Sequence, residues 1–280
     1  MIGRRYEADP AALCEEEVRS FFLFLRNERR YAGSSLIIAR SALRYFYCDH
    51  LGIGLHWKVW HEMRVRRVQT LPVVFSREEV ARLLCAVRCD RFRTVFEFMY
   101  GCGLRISEAL QTEVTDIDGQ ALRVHVRDAK GGKDRYVPIA PALVATLRRF
   151  WRRHRHARWL FPALSPGWRS SQKPLPEIVR AAQGPMGGAT VQSAFRLAVA
   201  ASGLRKRATP HTLRHSYATH LLEEGVSIRL ISQFLGHTSL ETTLVYTHLT
   251  AVSEGQALAA LQRLAQQTAP RPPKPAARRV

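Results

Sequence analysis

The chain has 280 residues, of which 46% are hydrophobic, and it carries 43 basic against 23 acidic side chains for a formal net charge of +20. This length allows two modest domains with real cores. No apolar run could span a bilayer and the first residues lack a signal peptide, so we expect a cytoplasmic protein without membrane association. The charge excess would cause self-repulsion, which favours a polyanionic partner, with nucleic acid ahead of a membrane surface.

Residues 1–66 have the pattern of a small helical domain. Asp9-Pro10 is typical of a helix start, because a capping side chain precedes a proline. Apolar residues then recur at helical spacing: Cys14, Val18, Phe21, Phe22 and Leu25. Ser35 can cap a second helix. The basic, extended stretch that follows predicts a linker at residues 67–75.

Residues 76–267 indicate a larger helical domain that contains a small sheet. Ser76 and Glu79 form a capping box at the start of its first helix. After Asp118-Gly119 the apolar period changes to that of two strands, which carry Leu122, Val124, Val126 and then Tyr136, Val137, Ile139. The fold class is therefore mainly α with a small antiparallel β-sheet (α+β).

Three segments of this half have a different composition. Residues 162–188 are rich in Pro, Gly and Ser and predict a long loop. Residues 252–267 predict a last amphipathic helix. The basic, proline-rich residues 268–280 predict a disordered tail.

The segment TPHTLRHSYATHLLEEG, residues 209–225, combines three histidines with an arginine. Thr209 and Pro210 begin a helix, so that His211 and Arg214 share one face of its first turns. This positive helix end is a favourable place for a phosphate. His215 follows Arg214 and is expected to be turned away from it.

A metal site is the competing interpretation of this segment. His211 and His215 are four residues apart and could chelate zinc. However, no HExxH motif and no nearby carboxylate at ligand spacing accompany them, and Arg214 would place a positive charge among the ligands. The five cysteines contain no CxxC pair, which disfavours disulfides and a zinc ribbon.

Three further motifs each have an ordinary explanation when taken alone. In GLRISEAL, Arg105 and Glu108 could form a helix salt bridge. In the glycine turn KGGK, Lys130 could sit at the tip of a plain hairpin. In LGHTSLETTLVYTH, His237 follows a helix-ending glycine, and Tyr246 could be a core or surface aromatic.

Together the motifs resemble the tyrosine recombinase (phage integrase) family in residue type and order. GLRISEAL, HTLRHSYATHLLEEG and LGHTSLETTLVYTH carry the resemblance, which covers residues 70–260 and, less specifically, the first domain. It implies a two-domain architecture: a helical core-binding domain at residues 1–66 and a catalytic domain at residues 76–267. It also implies a site-specific DNA recombinase or integrase, as found on mobile elements.

The resemblance assigns a catalytic role to six residues. Tyr246 would attack a DNA phosphodiester to form a 3′-phosphotyrosine, and Arg105 and Arg214 would clamp the phosphate oxygens. Lys130 would protonate the departing 5′-oxygen. His211 would assist proton transfer at the nucleophile, and His237 would donate a hydrogen bond to the phosphate. Glu108 would support these groups from outside the reacting set.

The same resemblance sets expectations for cofactors and partners. The cationic side chains supply the charge that metals bring to other phosphoryl-transfer enzymes, and the phosphotyrosine keeps the bond energy, so we expect no metal, ATP or other cofactor. The partner would be double-stranded DNA. Recombination would need a homotetramer on two sites, built from protomers that are monomeric or weakly associated when free.

Three other interpretations remain at this point. A DNA-binding regulator or excision factor would explain the charge but not a complete set of catalytic side chains. A type IB topoisomerase would use the same tyrosine to relax supercoils, although the motif spacing favours a recombinase. A metal-dependent nuclease is the most distant alternative.

Overall fold

The computed structural model describes residues 1–65, 71–127, 134–164, 168, 171–236, 241–244 and 246. The chain divides into two compact units, Met1–Thr70 and Leu71–Val280. Phe75 lies at the end of the predicted linker but is fully buried in the second unit, where its backbone N–H donates to the Ser216 hydroxyl at 2.9 Å. The exact domain boundaries stay a prediction.

The first unit is helical. Its α-helices are α1 (Ile2–Tyr6), α2 (Glu15–Asn27), α3 (Gly33–Arg44) and α4 (Val59–Glu62), with a π-helical turn at Tyr45–His50. Four of the five residues in the predicted apolar stripe are buried, namely Val18, Phe21, Phe22 and Leu25, whereas Cys14 is exposed at the N-cap of α2. Asp9-Pro10 begins only a short 3-10 turn, and α3 starts at Gly33 before the expected cap Ser35.

The second unit surrounds helix α6 with the other elements. Its described helices are α5 (Arg77–Ala86), α6 (Asp90–Cys102), α7 (Ile106–Gln111), α8 (Pro141–His154), α9 (Leu175–Arg180), α10 (Gly188–Ala201), α11 (Pro210–Glu223), α12 (Ile228–Leu235) and α13 (Glu241–Leu244). Helix α6 packs against α11, α8, α10, α5 and α7. Its aromatic side chains fill the core, and Phe96 packs edge-on against Phe195 at 5.3 Å between ring centroids.

The small sheet is antiparallel, as predicted. Its strands are β1 (Ile117–Asp118), β2 (Arg123–Val126) and β3 (Arg135–Pro138), in the order β1-β2-β3. Val124 pairs with Val137, and both side chains are fully buried, so the apolar face of the sheet joins the main core. The mainly α fold with a small antiparallel sheet is confirmed.

Several elements of the second unit were not predicted, the 14-residue helix α8 among them. Helix α9 lies inside residues 162–188, where a loop was expected, and it buries Ile178 and Val179. Strand β1 has two residues, too few to show a period in the sequence. The predicted helix at 252–267 and tail at 268–280 lie outside the described residues. In the part of the chain that the structure describes, no helix has the length and apolar content needed to cross a membrane.

Candidate active site

The end of α6 sets the position of Arg105. Gly103 closes α6 with a positive φ of 61°, and a Cβ at this position would lie 2.4 Å from Cδ1 of Tyr217 on α11. Only glycine fits both the backbone conformation and the close approach. The chain then turns at once into α7, with Arg105 as the N-cap residue.

Arg105 and Glu108 interact as the sequence predicts. A side-chain N–H of Arg105 donates to Glu108 Oε1 at 2.6 Å, and its backbone N–H donates to Oε2 at 2.8 Å. The carboxylate is almost buried, whereas the Arg105 side chain is 22% exposed. Glu108 therefore orients a guanidinium group that solvent, or a ligand, can still reach.

Arg214 occupies the predicted place on α11 and lies in the same cluster. Its guanidinium group donates to the carbonyl oxygens of Gly103 at 2.8 Å and Leu235 at 2.5 Å, and lies 3.6 Å from Glu108. Burial, followed by the charge of Arg105, lowers its pKa to about 10. Arg214 thus stays positively charged at neutral pH, and both predicted arginines meet at one carboxylate.

A third arginine, which sequence reasoning missed, binds Glu108 through two side-chain hydrogen bonds. Arg135 on β3 is buried and forms two parallel hydrogen bonds to the carboxylate, at 3.0 and 2.8 Å. Its Nε donates to the carbonyl oxygen of Phe234 at 2.7 Å. Burial opposes ionisation of Glu108, but the hydrogen bonds and charge of Arg135, aided by Arg105, lower the pKa of this carboxyl to about 2.

Arg135 and Arg214 together fix the end of α12. They bind the carbonyl oxygens of its last two residues, Phe234 and Leu235. Gly236 follows with a φ of 63°, and a Cβ there would lie 3.0 Å from Cδ of Arg135. The arginine cluster therefore determines where the chain leaves α12 toward His237 and Tyr246.

Tyr246 lies against a histidine that was not in the predicted set. Its hydroxyl is 2.9 Å from Nδ1 of His215, and the two rings are 5.8 Å apart. His211 is the next ring along α11, 5.9 Å from His215. The sequence placed His215 only as turned away from Arg214, and its contact with Tyr246 was not predicted. Its spacing of four residues from His211 was the available signal, because such residues share a helix face.

Burial controls the protonation of these histidines. It lowers the pKa of His215 to about 4, with smaller contributions from the charges of His211 and Arg214. The pKa of His211 is also lowered by burial and then by Arg214 and Arg105. A neutral His215 can accept a proton from the phenol through Nδ1.

The ring of Tyr246 is enclosed while its hydroxyl faces polar groups. The residue is only 3% exposed and packs with Tyr217, Ala218, Ile231 and Leu235. Burial raises the pKa of the phenol, and the positive charges of Arg214 and Arg105 oppose that rise. The Tyr246 hydroxyl thus faces a histidine nitrogen, while its ring is shielded from solvent.

Two predicted site residues, Lys130 and His237, lie outside the described residues. Strands β2 and β3 flank the segment of Lys130, and α12 ends two residues before His237. For the metal alternative, no third His, Cys, Asp or Glu joins His211 and His215 as a ligand group within the described ranges.

The site combines a tyrosine hydroxyl held by a neutral histidine with an arginine cluster, a combination suited to phosphoryl transfer by a protein nucleophile. The phage integrase family model matches residues 74–252, and the model of the phage integrase N-terminal SAM-like domain matches residues 1–57. The chain belongs to the phage integrase family, the tyrosine recombinases, which confirms the resemblance found in the sequence.

Curated relatives and solved structures agree with this assignment. A putative integrase/recombinase of Sinorhizobium fredii, y4qK, is 36% identical over 277 residues, which cover 98% of this chain and 83% of the relative. The tyrosine recombinase XerA of Pyrococcus furiosus is 35% identical, with coverages of 82% and 75%. The crystal structure of a XerA recombinase is 26% identical, with a TM-score of 0.53 over 97% of this chain and 89% of that one.

A second solved structure is similar in fold alone. The Tn1549 transposon integrase in complex with circular intermediate DNA is 17% identical, with a TM-score of 0.68 over 94% of this chain and 91% of that one. The likeness extends over both units of the chain.

Proposed function

We propose that the protein cleaves and rejoins DNA strands at specific sites through a covalent bond between Tyr246 and a 3′-phosphate. The observation that carries this proposal is the 2.9 Å contact between the Tyr246 hydroxyl and Nδ1 of His215, next to the arginine cluster. Binding alone requires no tyrosine held by a neutral base. The net charge of +20 fits a DNA duplex as the substrate.

In the cleavage step, the phenolic oxygen of Tyr246 attacks phosphorus and the bond to the 5′-oxygen breaks. The phenolic proton passes to a histidine. The family resemblance implies His211 for this role, but the hydrogen bond to Tyr246 favours His215. Lys130 protonates the departing 5′-oxygen. The 5′-hydroxyl of a second strand later attacks the phosphotyrosine and restores the phenol, so the number of phosphodiester bonds is unchanged.

Positive charge stabilises the pentavalent transition state. Arg105 and Arg214 bind the non-bridging oxygens, held in place by Glu108, and His237 donates a further hydrogen bond. Each preorganised donor of this kind typically contributes about 2.7–4 kcal/mol. The guanidinium groups of Arg105 and Arg214 carry their positive charge before DNA binds, so no divalent ion is needed for this stabilisation. The exchange of one phosphodiester bond for another consumes no ATP.

For recombination we propose four protomers on two duplexes, since two sites with two strands each require four nucleophiles. Recombinases of the same fold have been solved on DNA, among them XerH bound to its difH substrate and a λ integrase dimer on a core site. These structures support duplex DNA as the partner of this chain. The free protein would be a monomer or a weak oligomer.

Covalent trapping tests the proposal. The protein is incubated in EDTA with a supercoiled plasmid that carries the DNA flanking its gene, and the reaction is stopped with detergent. We expect a protein–DNA adduct from the wild type and from Tyr100→Phe, but none from Tyr246→Phe. Tyr100 is a matched control because its hydroxyl also bonds a histidine of α11, His220, at 2.8 Å. An adduct with Tyr246→Phe, or a requirement for metal, would contradict the proposal.

A further inference from the structure

Helix α8 carries a basic surface that the catalytic site does not use. No Asp or Glu occurs from residue 135 to residue 176. Within this range, five exposed arginines lie on α8 or directly after it: Arg148, Arg149, Arg152, Arg153 and Arg155. We refer to these five side chains as the α8 surface.

Helix α6 packs against both α8 and the helix α11 that carries Arg214. Tyr100 of α6 bonds His220 of α11 at 2.8 Å. A Cβ on Gly101 of α6 would meet Leu143 of α8, and Glu97 shares a cavity of about 230 Å³ with Arg149. The α8 surface thus lies on a helix that contributes none of the described residues of the candidate active site.

Much of the charge on the α8 surface has no protein counter-charge. Arg153 pairs with Asp90 at 2.5 Å, and Arg149 lies beside Glu97. By contrast, Arg148, Arg152 and Arg155 form no ion pair with any residue that the structure describes. Like charges that cluster in this way destabilise the folded chain unless an anionic partner compensates them.

The spacing of these arginines suits a nucleic-acid backbone. Arg148 and Arg152, like Arg149 and Arg153, are one helical turn apart, or about 6 Å along the axis. Each strand of a DNA duplex presents one phosphate per about 3.4 Å of axis, so this spacing corresponds to roughly two phosphate steps. Guanidinium groups bind phosphates with two parallel hydrogen bonds. Contacts that arginines make to phosphates carry no sequence information, so binding of this kind would not depend on sequence.

We propose that the α8 surface binds a second DNA duplex through its phosphates, without sequence preference, while the catalytic face holds the duplex to be cleaved. This inference rests on the proposed function, because it takes DNA as the partner at the catalytic face. One protomer would then bring two duplex segments together, either two parts of one molecule or two molecules.

A two-duplex capture assay tests the inference. Protein is bound to a short duplex on beads, washed, and offered a fluorescent second duplex of unrelated sequence over a range of salt concentrations. The test variant is Arg148→Gln/Arg152→Gln/Arg155→Gln, which removes charges that have no protein partner. The control is Arg148→Lys/Arg152→Lys/Arg155→Lys, which keeps the charge at the same positions.

We expect the Gln variant to capture much less of the second duplex, with a salt dependence whose log–log slope falls by about 0.9 for each phosphate that the variant no longer neutralises. The Lys variant should capture it nearly as well as the wild type. Thermal melting of both variants checks that they fold. Equal capture by the Gln variant and the wild type would overturn the inference, as would stronger capture of duplex RNA than of duplex DNA.

The outcome can be separated from that of the proposed function. Tyr246→Phe should capture the second duplex normally, whereas the Gln variant should still form the covalent adduct with the plasmid. If the wild type forms no adduct but capture of the second duplex still depends on the three arginines, the proposed cleavage chemistry is wrong and DNA binding by the α8 surface is supported. If the Gln variant loses binding of the first duplex to the same degree as the second, the surface belongs to the catalytic interface and the inference fails.

Discussion

The hydroxyl of Tyr246 and Nδ1 of His215 lie 2.9 Å apart, although 31 residues separate them in the chain. The contact joins the segment after α12 to the middle of the buried helix α11. It places a neutral imidazole against the proposed nucleophile, so a proton acceptor is already in position before DNA binds.

Replacing this histidine should slow cleavage without weakening DNA binding. We expect His215→Gln to reduce the rate of adduct formation by roughly 10²–10⁴-fold, the usual contribution of a general base. Single-turnover trapping measures the rate. His220→Gln is the matched control, because His220 also bonds a tyrosine hydroxyl through Nδ1 but faces Tyr100. Equal losses in the two variants would assign His215 a structural role only.

The acid side of the pH–rate profile should report the same group. His215 must be neutral to accept a proton, and its pKa is lowered to about 4. The cleavage rate should therefore show no inflection from His215 near 6.5, the ordinary pKa of histidine, and should fall only as the pH approaches 4. Stopped adduct assays in buffers of constant ionic strength measure the profile. An inflection near 6.5 that His215→Gln abolishes would contradict this assignment.

Stability should decrease between pH 6.5 and pH 4. Burial lowers the pKa of His154 to about 4, as it does that of His215. In this window the unfolded chain binds protons that the folded chain does not, so stability present above 6.5 is lost as the pH falls. Urea unfolding at several pH values measures the loss. His154→Asn can still accept the hydrogen bond from the backbone N–H of His156, but it has no titrating ring, so stability should depend less on pH in this variant. An unchanged dependence of stability on pH would contradict the role of His154.

The buried pair of Arg135 and Glu108 should be much more important for stability than an exposed pair on the same sheet. We expect Arg135→Gln to lower the free energy of unfolding by about 3–5 kcal/mol, since it removes one partner of a buried ion pair. Arg123→Gln, which breaks the exposed contact with Asp118, should lower it by only about 0–1 kcal/mol. Denaturant titration compares the two, and similar losses would show that Glu108 is sufficiently held by Arg105 and Arg214.

Substitution of two glycines with similar positive φ angles should distinguish the cost of backbone strain from the cost of a steric clash. Gly203 has a φ of 70° with open space around its Cβ position, so Gly203→Ala should destabilise by about 1–2 kcal/mol. Gly103→Ala adds a clash with Tyr217 and should lose about 1–3 kcal/mol more. It should also reduce adduct formation, because Arg105 follows two residues later. Thermal unfolding compares both variants; equal losses would mean that Tyr217 moves aside without penalty.

The sequence revealed those parts of the site that are local or belong to specific motifs. Arg105 and Glu108 are three residues apart, so helix geometry alone predicted their contact, and Tyr246 was identified by the motif around it. Arg135 was missed because its partner lies 27 residues away. Its position two residues before the buried Val137 was nevertheless informative, since alternate strand residues share a face and an inward arginine needs a counter-charge.

Two of the unpredicted elements, α9 and β1, depend on contacts with other parts of the chain. Helix α9 has six residues within a Pro- and Gly-rich stretch, and tertiary burial of Ile178 and Val179 stabilises it rather than its own propensity. Strand β1 exists because Ile117 and Asp118 pair with β2. Neither feature leaves a periodic trace in one sequence.

The contact of three arginines with the single carboxylate of Glu108 limits how this part of the protein can change in evolution. Arg105, Arg135 and Arg214 all depend on this carboxylate, so a change that suits one guanidinium group disturbs the other two. A compensating mutation at position 108 cannot satisfy three neighbours at once. Diverging lineages of this enzyme should therefore inherit the four side chains as a block.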